Sequence, residues 1–153
     1  LNNEPFLNQL KEKITDRGYL IFSFRDVHVK NGSEYTLEHK DGLVEEICKA
    51  LGKEPGNITL NRFSDSSSLF TINENVRRMD IYTIFNPNPK KEPEGELLRF
   101  GRLIETIKSC HGGNITAVMP NAPDSRQDQS YGKRQLITSK SNVELLKHLV
   151  LIM

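Results

Sequence analysis

The chain has 153 residues, 36% of them hydrophobic and 27% charged, with a formal net charge of +1. That is enough chain to bury one core without disulfide or metal staples, and too little net charge to draw it onto nucleic acid or a membrane surface. No run approaches the roughly 18 apolar residues of a membrane helix, and the start lacks the basic and apolar blocks of a secretory signal, so one cytoplasmic α/β domain over residues 1–153 is the expectation.

Phe6, Leu7, Leu10 and Ile14 recur at helical spacing over residues 4–16, with Asn3 placed to cap, Pro5 in the first turn and Gly18 as a stop. "YLIFSF" at 19–24 predicts a strand. In "RDVHVKNGSEYTLEHKD" an Asn-Gly pair stands between Val-His-Val and Tyr-Thr-Leu, the pattern of a hairpin excursion, with His28 and His39 on its surface.

Leu43, Val44, Ile47 and Leu51 predict a helix over 41–51 that Gly52 ends. "NITLNRF" and "SLFTI" follow as two short strands around the turn "SDSS". "DIYTIF" at 80–85 is a continuous apolar run of the buried parallel kind. A Pro-rich loop, "NPNPKKEPEG", then leads to a helix at about 96–109 carrying Leu97, Phe100, Ile104 and Ile107 on one stripe and stopping at Gly112-Gly113.

"NITAVMP" predicts another buried strand, and residues 138–149 a last helix that starts at Thr138 or at a Ser141/Glu144 capping box. Strand and helix alternate, which predicts an open, mostly parallel sheet with helices on both faces and a small β-hairpin excursion. Cys48 and Cys110 both fall in segments that read as helix, without ligand-spaced neighbours, so buried free thiols are expected. Neither a metal site nor a Cys110/His111 catalytic pair is expected.

In such sheets ligands bind beyond the carboxyl ends of the strands, here the loops after Phe24, Phe85 and Met119. The third loop, "NAPDSRQDQSYGKRQ", offers Arg126, Lys133 and Arg134, cations suited to phosphate, beside the amide of Gln127. Composition alone makes it a solvated surface loop, since the chain has neither a Walker A nor a GxGxxG sequence. In "RFSDSSSLFTI", Phe63 and Asp65 would suit a nucleoside, although Ser-Asp-Ser-Ser is also ordinary turn chemistry. Arg77-Arg78 would hold an anion or face solvent.

Taken in order, these stretches resemble the amino-terminal half of ribose-phosphate pyrophosphokinase. The resemblance runs from about residue 41 to 149 and rests on "FSDSSSLFTINENVRRMD" and "AVMPNAPDSRQDQSYGKRQLITSK", where the family carries F-S-D-G-E, S-V-R and R-Q-D segments. Residues 1–40 are then a divergent helix, strand and insertion. The resemblance implies a three-layer, phosphoribosyltransferase-like or Rossmann-like fold, and transfer of diphosphate from ATP to ribose 5-phosphate with Mg²⁺. It assigns ATP contacts to Phe63, Asp65, Ser67, Arg126, Gln127 and Asp128, and a regulatory phosphate to Asn75, Arg77 and Arg134.

It further implies a homo-oligomer, from dimer to hexamer, whose ATP site spans two subunits so that Phe63 reaches another copy's Arg126 loop. Ser67 stands where the family has Glu, Asn75 where it has Ser, and Asp124 where an aromatic is usual. "VLIM" matches the strand before the family's D-L-H metal segment, so the Mg²⁺ ligands and the carboxy-terminal domain are expected beyond this chain, which alone would be inactive. The alternative is a catalytically inactive homologue that binds nucleotide or phosphate and regulates active subunits by co-assembly.

Overall fold

The computed structural model describes residues 18–25, 28–31, 34–37, 42–65 and 67–149. The predicted leading helix, His39 and the closing "VLIM" lie outside the described residues. In chain order the elements are β1 (Tyr19–Ser23), β2 (His28–Asn31), β3 (Glu34–Leu37), α1 (Gly42–Leu51), β4 (Ile58–Arg62) and β5 (Ser68–Ile72). They continue with β6 (Asp80–Ile84), α2 (Pro93–Ser109), β7 (Ile115–Val118) and α3 (Thr138–Leu149).

The apolar run of β6 takes the central place that its composition demands. It pairs in parallel with β1 on one side and β7 on the other, in the order β1-β6-β7, with Ile21 opposite Tyr82 and Thr83 opposite Ala117. All five β6 residues are buried because both faces are covered. On one face Val44, Ile47 and Cys48 of α1 pack with Ile21, Tyr82 and Ile84. On the other, Ile81 and Phe85 share a core with Leu97, Phe100, Leu103, Ile104 and Ile107 of α2 and Leu146 of α3.

The two hairpins expected as separate excursions instead merge. β2 pairs in parallel with β4, His28 opposite Thr59, while β3 and β5 flank them antiparallel, giving a second sheet in the order β3-β2-β4-β5. Its Val29, Ile58, Leu60 and Phe70 join the same core as α2. Phe24, Phe85 and Phe100 meet with ring centroids 4.8 to 5.6 Å apart, and Phe70 lies 6.5 Å from Phe24. One aromatic cluster therefore links the parallel sheet, α2 and the second sheet.

Two details of α2 differ from expectation, its start and the residue that stops it, while its end at Ser109 and the span of α3 are as expected. α2 begins at Pro93 rather than 96, because proline is suited to the first helical position, where its missing N–H costs nothing. It ends at Ser109 with the left-handed residue at His111 (φ 61°) rather than at a glycine. The His111 and Gly112 amides donate to the Lys108 and Ile107 carbonyls, closing a Schellman motif. α3 starts at Thr138, one of the two expected starts, and no Ser141/Glu144 box forms because Ser141 lies inside the helix with its amide donating to the Ile137 carbonyl at 3.1 Å.

Cys110 caps α2 and is exposed, correcting the expectation of burial, because it sits past the last turn that faces the core. Cys48 is buried, and desolvation, with Glu54 adding to it, pushes its thiol up to about 11. The raised value favours the neutral thiol in the fold, so that contribution to stability is present below the unfolded thiol's pKa and is lost as pH rises through about 11. Titration with a thiol reagent at pH 8 should label Cys110 promptly and Cys48 only on unfolding.

Gly56 donates its amide to the Ile21 carbonyl at 2.7 Å, and a Cβ there would lie 2.3 Å from the Phe22 ring. Gly56→Ala should therefore destabilise the fold by about 1–3 kcal/mol, measured as a lower denaturant midpoint with unchanged slope.

Candidate functional site

Parallel strands end together, so the loops leaving β6 and β7 are neighbours by construction. Between them lies an open cleft of about 450 Å³, walled by residues 86–89, Lys91 and Pro93 on one side and residues 121–127 on the other. It stands beyond the carboxyl ends of the strands, where an open α/β sheet leaves room for a ligand. On the first wall, Asn88 shapes the backbone: its side-chain oxygen accepts from the Lys90 amide and its carbonyl from the Lys91 amide, both at 3.0 Å.

The second wall carries the Arg-Gln-Asp triplet. A turn over residues 124–127 closes when the Gln127 amide donates to the Asp124 carbonyl at 2.8 Å. Asp124 enters it with φ 56°, a left-handed conformation that aspartate tolerates better than most residues. Asn142 Nδ2 donates to Asp124 Oδ2 at 2.9 Å. Thr138 Oγ1 donates to Gln127 Oε1 at 2.6 Å, and the amide and hydroxyl of Ser139 both donate to the Gln127 carbonyl, at 3.3 and 3.0 Å. The Ser139 amide is one of the helix-terminal donors that α3 itself cannot satisfy.

Of the expected ATP residues, Arg126 and Gln127 line this cleft. Asp128 follows them on the exposed loop and is not among the lining residues. Phe63, Asp65 and Ser67 stand at the tip of the β4–β5 hairpin, away from the cleft lining, with Phe63 53% exposed. The hairpin closes through the Phe63 amide to the Ser67 carbonyl at 3.0 Å. Ser67 donates its hydroxyl (2.6 Å) and amide (2.9 Å) to Asp65 Oδ1, and these bonds hold the Asp65 carboxyl below the usual range.

The three residues expected at a regulatory phosphate divide between the two ends of the sheet. Asn75 accepts the Arg77 amide at 3.1 Å, and Arg77 bridges to Gly112. Asn75 and Arg77 lie just before β6, and Gly112 just before β7, at the amino edge of the parallel strands. Arg134, exposed and left-handed at φ 62°, belongs to the loop after β7 at the carboxyl edge.

The residues that sequence reasoning missed are Thr138, Ser139 and Asn142. Thr138 and Ser139 look like helix-start chemistry, yet their hydroxyls bond to Gln127. The remaining signal, a polar Asn142 four residues after Thr138 and so on the same helix face, is visible in the sequence but names no partner.

Asp65 supplies a pH test. Its depressed pKa means that the hairpin bonds are fully present above the unfolded carboxyl value and are lost as pH falls through the folded one. Ser67→Ala should raise the Asp65 pKa toward that of a free aspartate, seen in an NMR titration of the side-chain carboxyl. An unchanged value would remove Ser67 as the cause.

Residues 35–149 match the family model of the N-terminal domain of ribose phosphate pyrophosphokinase. A ribose-phosphate pyrophosphokinase of Clostridium acetobutylicum is 33% identical over 120 residues, which cover 78% of this chain and 37% of that protein. Ribose-phosphate pyrophosphokinase 2 of Saccharomyces cerevisiae is 33% identical over 106 residues, 69% of this chain and 33% of its own length. The chain thus spans roughly a third of the curated relatives it matches. A crystal structure of phosphoribosylpyrophosphate synthetase from Mycobacterium smegmatis shares the fold with a TM-score of 0.69 at 22% identity, covering 86% of this chain and 39% of that one.

Proposed function

This chain belongs to the family of the N-terminal domain of ribose phosphate pyrophosphokinase, and from that membership we propose that it supplies the ATP-side residues of a protein transferring diphosphate from ATP to ribose 5-phosphate. The observation that carries the reading is the placement of Arg126 and Gln127 in one wall of the cleft beyond β6 and β7. Diphosphoryl transfer asks chiefly for positioning and charge neutralisation, and a guanidinium offers a planar fork for phosphate oxygens. Gln127, with Oε1 engaged by Thr138, turns its amide nitrogen into the available donor. Lys91 adds a second cation on the opposite wall.

On this reading Phe63 and Asp65 serve the site of a neighbouring copy in a homo-oligomer, which their position on an exposed hairpin away from the cleft lining supports. Asn75 and Arg77 of one copy would likewise meet Arg134 of another around a phosphate. Among the described residues no three His, Cys, Asp or Glu side chains gather as metal ligands. On the family reading, the protein ligands of Mg²⁺ and the pentose site would be supplied by a carboxy-terminal domain. No described helix is long and apolar enough to cross a membrane, and the setting we assign is the cytoplasm.

Titration calorimetry of the intact protein with ATP and Mg²⁺ tests the reading. Arg126→Ala should weaken binding on the order of tenfold or more, as expected for a charge-assisted contact to phosphate. Equal affinities for the two proteins, or no binding by the unaltered one, would count against it.

The second reading, an inactive homologue that regulates active subunits by co-assembly, is favoured by the Ser67 bonds that engage Asp65 Oδ1 within its own hairpin. An assay of phosphoribosyl pyrophosphate formation separates the two. Turnover supports the enzyme, whereas ATP binding without turnover supports the regulator.

A further inference from the structure

We propose that the first two turns of α3 act as a clamp that presents Arg126 to a polyphosphate, with Asn142 and Thr138 as its positioning residues. The proposal rests on the nucleotide reading of the cleft for its ligand, and on geometry alone for the clamp. The turn over residues 124–127 is tied to α3 at both ends: Asp124 Oδ2 to Asn142 Nδ2 at 2.9 Å, and Gln127 Oε1 to Thr138 Oγ1 at 2.6 Å. Arg126 stands between the two ties, exposed and lining the cleft.

Thr138 and Asn142 are four residues apart, so they rise from the same face of α3 and hold the turn like two rungs. The helix itself is anchored by Leu146, one further turn along and 6% exposed in the core shared with α2. Position therefore passes from the core to Leu146, through the helix to Asn142 and Thr138, and from them to the side chains of Asp124 and Gln127 on either side of Arg126. An anion clamp fixed before binding loses less conformational entropy when the ligand arrives.

The acid at 124 fits this role on two counts. Its carboxylate accepts the Asn142 amide, and its left-handed φ of 56° turns the chain toward Arg126. A larger side chain at that position would lose the tie and strain the backbone.

The test uses the intact protein, with hydrogen exchange of the amides over residues 124–127 and calorimetry with ATP and with inorganic tripolyphosphate. Asn142→Ala should speed exchange across the turn and raise the Kd for both ligands on the order of tenfold, with exchange of the β6 amides unchanged. Asp124→Asn keeps an acceptor and tolerates the left-handed backbone, so it should retain slow exchange in the turn, whereas Asp124→Ala should not.

Faster exchange with an unchanged Kd would overturn the positioning role and leave the nucleotide reading intact. Unchanged exchange in both Asn142→Ala and Asp124→Ala would overturn the clamp. If the unaltered protein binds neither ligand, the nucleotide reading fails and the presentation of Arg126 to a polyphosphate falls with it, whatever the exchange shows.

Discussion

The packing of Phe24, Phe85 and Phe100 is the contact on which the rest of the arrangement depends. Phe24 follows β1, Phe85 follows β6, and Phe100 comes from the second turn of α2, with the Phe85 and Phe100 rings 4.8 Å apart. Two of the rings are thus the last buried residues before the chain leaves the sheet, and the third fixes the helix that returns over it. Phe70 brings the second sheet to the same point. Truncating such a ring to alanine typically costs about 3–5 kcal/mol; here the loss would fall directly beneath the cleft.

What stands above the cluster follows from strand polarity. Parallel strands deliver every β-to-α loop to one edge, so the Pro-rich loop after β6 and the Arg-Gln-Asp loop after β7 become facing walls without any contact specifying it. The loop after β7 is polar and cannot pack into the core. Its order comes instead from hydrogen bonds to α3, a helix that buries Leu146 and leaves Val143 and Leu145 about half exposed.

Much of this was legible in the residues. The run Asp80 to Phe85 has no polar face, so only a doubly covered strand suits it, and the stripe Leu97, Phe100, Ile104, Ile107 admits only a helix. The second sheet was not legible, because the β2 to β4 pairing joins residues about thirty apart with no local signal. Pro93-Glu94-Gly95 looked like loop because its residue types are shared by turns and helix starts. Arg126 and Gln127 stood out through family resemblance rather than composition, while Asn142, a polar residue in an exposed stretch of helix, carried nothing to mark it as a tie to Asp124.

α2 touches both ends of the sheet. Pro93, its first residue, lines the cleft, and the Schellman turn after its last residue carries Gly112 to Arg77. Seventeen residues of helix make a rod of roughly 25 Å. The span between the cleft and the Arg77 loop is therefore set by a count of helical turns. Loops on either side can lengthen or change composition without altering it, whereas inserting a single residue inside α2 would rotate the part after it by about 100° relative to the part before, so that the buried stripe no longer faces the core along its whole length.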